Sequence, residues 1–135
     1  MENCIFCKII KKQISSYKIL ESDLFYAFLD VDPVIEGHAL AIPKKHFKDF
    51  FELDETHLKE YPIFIKKIGE LLRTKLNCDG INMVNANGKA AQQSVFHQHF
   101  HIIPRYDNDT LDLWLDKKNQ QVNKDFEATV KKITE

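Results

Sequence analysis

Two hydrophobic periods alternate along this chain, and each change of period marks a new element. Ile5, Ile9 and Ile10 recur at helical spacing within residues 4–12, and lysines close the segment, so a short N-terminal helix is expected. Residues 17–21 and 24–30 read as two strands joined by a tight connection at Ser22-Asp23. Asp32-Pro33 and Glu36-Gly37 punctuate a loop, and residues 38–42 form a further strand stopped by Pro43. The period then lengthens. Leu58, Tyr61, Ile65, Ile68, Leu72 and Leu76 fall at intervals of three and four, which predicts one long helix with Asp54 as its N-cap. Pro62 lies inside that run and marks either a kink or a fresh start. His57 falls on the polar side of this helix and Cys78 has no partner in sequence, so the first is expected in solvent and the second in the core. Residues 80–86 read as a strand, 87–93 as a polar loop, and 97–103 as a last strand ended by Pro104. The tail after Asp107 is polar, with a helix from about Asn123. Strands with short connections around one long helix predict an α+β domain on an antiparallel sheet. No repeat or internal linker interrupts the pattern. One domain over 1–135 is therefore expected, with a core at about 4–106 and a tail at 107–135.

Composition narrows the classes. With 44% hydrophobic and 29% charged residues, a chain of 135 residues fits a globular domain with one core. Its formal net charge of −1 gives no global attraction to nucleic acid or anionic membranes, so neither is expected as a partner. Any affinity for phosphate has to come from a local site. The start, MENCIFC, lacks the basic and apolar regions of a signal peptide, and no apolar run approaches the ~20 residues of a membrane span. Three cysteines with a single Cys-x-x-Cys pair argue against a secreted disulfide scaffold, so a cytoplasmic location is expected.

The segment Ser94-Val95-Phe96-His97-Gln98-His99-Phe100-His101-Ile102-Ile103-Pro104-Arg105 carries the strongest chemical signal. Alternate side chains of a strand share a face, roughly 6.5–7 Å apart. His97, His99 and His101 then point one way, and Gln98, Phe100 and Ile102 the other. Half of the six histidines fall in these five residues, which makes an accidental solvated face the weakest reading. Two others stay open. The rings can chelate zinc together, as His-x-His on a strand can. Alternatively, one neutral imidazole attacks phosphorus while its neighbours organise the phosphate, giving a covalent phosphoramidate. Cys4-x-x-Cys7 is by itself a two-ligand fragment, open to redox, structural or metal readings.

Together with CIFCKII and AFLDVDPVIEGHALAIPKKHF, the segment QSVFHQHFHIIPR resembles the histidine triad (HIT) proteins, whose signature is His-φ-His-φ-His-φ-φ with φ apolar. The likeness covers roughly residues 4–106 and is nearest to bacterial members close to the Hint branch. It implies the HIT fold, an antiparallel sheet with one long and one short N-terminal helix, assembled as a homodimer. It implies His99 as nucleophile, with its second ring nitrogen held by a backbone carbonyl. His101 and His38 would line the phosphate pocket, and Ser94 would donate its hydroxyl to an α-phosphate oxygen. Asp30 would accept the ribose hydroxyls, Val31 would pack on sugar or base, and Asn85 and Gln93 would supply further substrate contacts. A structural zinc would sit on Cys4, Cys7, His46 and His97, which takes His97 out of the chemistry. The implied activity is hydrolysis of purine nucleoside phosphoramidates or related nucleotides through a nucleotidyl-His99 intermediate. A dinucleoside polyphosphate hydrolase of the Fhit type, or a nucleotide-binding scaffold with incidental turnover, are the alternatives. The chain departs from the family pattern at three places. Gln98 takes the first φ. Pro104-Arg105 replaces the Gly-rich continuation of some members. Gln92 stands where relatives usually carry a Gly that helps the backbone approach phosphate.

Overall fold

In the computed structural model, which describes residues 3–115 and 121–135, the two periods become a sheet with a helix on each face. The elements are α1 (Ile5–Ile10), β1 (Lys18–Glu21), β2 (Phe25–Leu29), β3 (Ala39–Pro43), α2 (Glu55–Leu76), β4 (Gly80–Val84), β5 (Phe100–Arg105) and α3 (Phe126–Thr134). Every strand pairing is antiparallel, in the order β1-β2-β3-β5-β4. Strand β5 thus slots between β3 and β4 and carries the histidine segment into the sheet, with Leu40 opposite His101. The α+β expectation and the antiparallel sheet both hold. No helix among the described residues is long and apolar enough to cross a membrane. The expected tail yields α3 close to Asn123, while its part at 116–120 lies outside the described residues, as do residues 1–2.

Alternation along the strands separates two cores. Phe25, Ala27, Ala39, Ala41 and Ile102 turn toward Tyr61, Ile65, Ile68 and Leu72 of α2. The alanines leave room for the helix to come close, and the Tyr61 hydroxyl donates to the Ala41 carbonyl at 2.5 Å. Phe28, Leu40 and Ile42 face the other way and pack on Phe6 and Ile9 of α1. His99 and His101 lie on this second side, among the lining residues that include Phe6 and Leu40.

Several element ends differ from the pattern-based reading, each for a local reason. Pro43 and Pro104 lie inside β3 and β5 rather than beyond them. Each sits where one neighbouring strand has already ended, so its missing N–H breaks no ladder. Strand β5 begins at Phe100, not His97. The chain bends at 95–97, with the Gln98 N–H donating to the Phe47 carbonyl at 2.7 Å and the His97 ring drawn toward the cysteines. Helix α2 runs unbroken through Pro62, which stands on its exposed side. The buried stripe passes through His57 rather than Leu58, which is exposed. His57 is therefore in the core. Its ring lies edge-on to Phe25 and Phe47, and its Nδ1–H donates to the capping Asp54 at 2.7 Å. Cys78 is half-buried just past the left-handed Asn77 that closes α2.

Gly37 fixes how the chain enters β3 and hence where His38 stands. Its φ of +89° suits glycine, and a Cβ there would collide with the Leu76 side chain and come within 3.1 Å of Pro104 Cγ. Gly37→Ala should therefore lower stability by about 2 kcal/mol or more, combining left-handed strain with overpacking. Urea denaturation midpoints check this, and an unchanged midpoint would mean that the loop relaxes freely.

Candidate active site

A cleft of about 390 Å³ opens between α1 and the sheet. Ile5, Phe6 and Ile9 form one wall, and Phe28 and Leu40 form the floor. Asp30 and Val31 stand at the end of β2, and Ser94, His99 and His101 complete the lining. Such a pocket, mostly apolar with a few convergent polar groups, suits an aromatic ligand carrying a polar end.

Backbone partners settle where each imidazole holds its proton. The Val34 N–H donates to His38 Nδ1 at 3.2 Å, so the neutral ring carries its proton on Nε2. That N–H donates to His101 Nδ1 at 2.8 Å, which leaves His101 an N–H at Nε2. Asp30 Oδ2 lies 3.5 Å from His38 Nε2 and faces the same proton. His99 donates its Nδ1–H to the His97 carbonyl at 2.8 Å, so its Nε2 keeps a free lone pair. The rings of His99 and His101 touch, with centroids 5.1 Å apart. Asn85 holds the same stretch from behind, its Nδ2 donating to the His99 carbonyl at 2.9 Å and to Gln98 Oε1 at 3.1 Å.

Burial keeps these rings neutral. It lowers His99 below the ordinary imidazole range, against the opposing pull of the His97 carbonyl and Asp30. His101 is pushed down to about 4, by burial first and then by His99 and His38. His38 is lowered by burial despite Asp30 and Asp32. At neutral pH the cleft accordingly offers an unprotonated nitrogen beside N–H and O–H donors.

His97 faces elsewhere. It donates Nε2–H to the Pro43 carbonyl at 2.8 Å, so its Nδ1 lone pair points to Cys4 Sγ at 3.3 Å and Cys7 Sγ at 3.5 Å. His46 Nδ1 lies 3.3 Å from Cys7 Sγ. One ligand atom from each of these four residues falls within 4.8 Å of the others, and a Cys₂His₂ donor set fits a tetrahedral zinc ion. Asp30, His38 and His101 are also clustered, but the Val34 N–H occupies His38 Nδ1 and leaves its Nε2 protonated, which is a relay rather than a cage. Nor do the three triad rings converge on one point, because the free nitrogen of His97 is turned toward the cysteines.

His99, His101, Asp30, Val31 and Ser94 are thus brought to one cleft, with His38 in contact behind His101, and Cys4, Cys7, His46 and His97 to a second cluster. Val31 is an exposed rim residue. Two expected substrate contacts do not reach the cleft. Gln93 is buried and spends its amide inside the loop, accepting from Gly88 N–H and donating to the carbonyls of Lys48 and Val95. Asn85 spends both ends on protein groups, accepting from Asn87 at 2.6 Å through its Oδ1. Gln92 adopts the left-handed region, φ +68°, the conformation for which a glycine is the ordinary choice. Sequence reasoning missed the apolar walls. Phe6, Phe28 and Leu40 look like core in a hydrophobicity pattern, and only the position of Phe6 between two cysteines set it apart.

Burial keeps the His99 imidazole neutral in a largely apolar cleft that Asp30, Ser94 and His101 also line. The chain belongs to the HIT family: the HIT domain profile matches residues 11–108. It is 47% identical over 105 residues to protein hit of Bacillus subtilis, covering 78% of this chain and 72% of that one. It is 42% identical over 104 residues to the adenosine 5'-monophosphoramidase of Saccharomyces cerevisiae, covering 77% of this chain and 63% of that one. Among solved structures it resembles a zinc-bound histidine triad family protein from Mycobacterium smegmatis, with a TM-score of 0.79 and 33% identity, covering 86% of this chain and 84% of that one.

Proposed function

We propose that this protein hydrolyses purine nucleoside phosphoramidates or closely related nucleotides at the α-phosphate through a covalent nucleotidyl-His99 intermediate. The observation that carries the reading is the fixed tautomer of His99, whose Nδ1–H is spent on the His97 carbonyl and whose Nε2 lone pair is free. In the first step Nε2 forms a bond to phosphorus, the bond from phosphorus to the leaving nitrogen breaks, and that nitrogen takes up one proton. In the second, water attacks phosphorus, the bond to His99 breaks, and the water gives up one proton, so the protein is unchanged over the cycle. The His101 Nε2–H and the Ser94 hydroxyl stabilise the phosphoryl oxygens. Asp30 accepts from the ribose, Val31 covers the sugar, and Asn85 and Gln93 hold the backbone beneath. The named activity of the yeast relative supports the substrate class. Rapid-quench intact mass with adenosine and guanosine phosphoramidates and dinucleoside polyphosphates tests it. A nucleotidyl adduct on His99 is expected with the phosphoramidates. Turnover confined to the dinucleoside polyphosphates, or binding without any adduct, would defeat the reading.

We also propose a structural zinc on Cys4, Cys7, His46 and His97, and a homodimer. The free edge of β4 exposes Met83, and beside it a groove of about 610 Å³ runs between α2 and β4. Pairing two such edges about a twofold axis covers both and extends the sheet to a second protomer. Sedimentation at micromolar concentration should give about twice the chain mass of 15.8 kDa. A species of one chain mass alone would remove the dimer.

A further inference from the structure

We propose that metal occupancy of the Cys4, Cys7, His46 and His97 set and nucleotide occupancy of the cleft are coupled through Phe6, a positioning residue for His99. The inference rests on the zinc and nucleotide assignments above and adds an energetic link between them. Helix α1 has six residues, too few to hold a helix by itself. Its N-cap Cys4 and its Cys7 belong to the metal set, and Phe6 between them belongs to the cleft wall. The hydrogen bonds from this helical turn to His46 and His97 run through those two sulfurs. The Phe6 ring stands edge-on to three partners at once. These are His97 at 5.8 Å, His99 at 5.3 Å and Phe28 at 5.5 Å between centroids. One phenyl ring therefore touches a member of the metal set, the proposed nucleophile and the cleft floor.

A cation that draws the four donors together fixes α1, and a fixed α1 presents the Phe6 wall before the ligand arrives. Less ordering then remains to be lost when a nucleotide binds. Linkage makes the effect reciprocal, so a nucleotide that fills the cleft raises metal affinity by the same factor.

The test uses the full chain, zinc and AMP. Zinc is titrated against a competing chelating dye with and without saturating AMP, and AMP affinity is measured by calorimetry on zinc-loaded and zinc-stripped protein. AMP should tighten zinc binding about tenfold, and zinc should tighten AMP binding by the same factor. Phe6→Ala should keep both ligands but bring the factor close to one, and Phe6→Tyr should keep the factor. A coupling that arose only because the metal-free chain unfolds would survive Phe6→Ala, and that result overturns the role of Phe6. Equal zinc affinity with and without AMP, both ligands binding, overturns the coupling itself. Failure of AMP to bind either form would instead remove the nucleotide reading and the coupling with it.

Discussion

His99→Ala protein should lose about four powers of ten in kcat on a purine nucleoside phosphoramidate, on the order of 5 kcal/mol, while still binding AMP. The His99 nitrogen is the free lone pair presented to the cleft, since His101 and His38 hold their Nε2 protons outward along one hydrogen-bonded chain. Removing it leaves the walls, Ser94 and Asp30 in place, so binding suffers far less than chemistry. The wild-type rate also has a defined dependence on pH. Attack needs neutral His99, which is present above its folded pKa and lost as pH falls through it. Burial places that pKa below the ordinary imidazole range, and burial together with His99 and His38 pushes His101 down to about 4. The rate should consequently hold at neutral pH and fall only on the acid side of the ordinary imidazole range. Steady-state kinetics from pH 4 to 8, with mass detection of the adduct, measure both effects. Near-normal turnover by His99→Ala, or an acid limb centred above pH 6.5, would sink the assignment of His99.

The placement of His99 was partly legible in the chain. Period-two alternation put His99 and His101 on one face, opposite Phe100 and Ile102, and the sheet keeps that separation. The divergence of His97 was not legible, because it comes from a bend at 95–97 pinned by Phe47, a residue fifty positions away. Nor was the burial of His57, since one residue of helical phase decides whether position 57 or 58 faces the sheet, and Asp54 supplies the partner that makes a buried imidazole tolerable. Asn85 and Gln93 mark the harder limit. Both are polar and lie in or beside the polar loop at 87–93, and composition alone cannot tell an amide that reaches a ligand from one spent on the backbone that holds the loop. The tautomers of His38, His97 and His99 depend on single carbonyl or N–H partners, which only the fold supplies.

Cys4→Ala should lower the stability of zinc-loaded protein by about 2.7 kcal/mol when free zinc is held roughly a hundredfold above its dissociation constant. The donor set explains why. Without a cation, burial and the neighbouring Cys4 push the Cys7 thiol up to about 11, so the cluster gains little from its thiols alone. Cys4, Cys7, His46 and His97 would hold a zinc ion with both sulfurs as thiolates, and it would cross-link α1 to the His46 loop and to the residue whose carbonyl accepts from His99. Losing one of four ligands removes most of that link. Cys4 is also the N-cap of α1, accepting from the Cys7 N–H at 3.4 Å, and a lost cap adds up to about 1 kcal/mol. Cys4→Ser separates the two effects, because its hydroxyl can still cap but is a poor zinc ligand. It should recover only the smaller share. Chelator should bring the wild type down to the level of Cys4→Ser and leave that variant unmoved. Thermal and urea unfolding, each with metal analysis of tag-free protein, provide the numbers. If Cys4→Ala/Cys7→Ala protein still binds one zinc per chain, the four ligands named here are not the site. If instead chelator stops turnover at once in fully folded protein, the metal serves the chemistry rather than the helix.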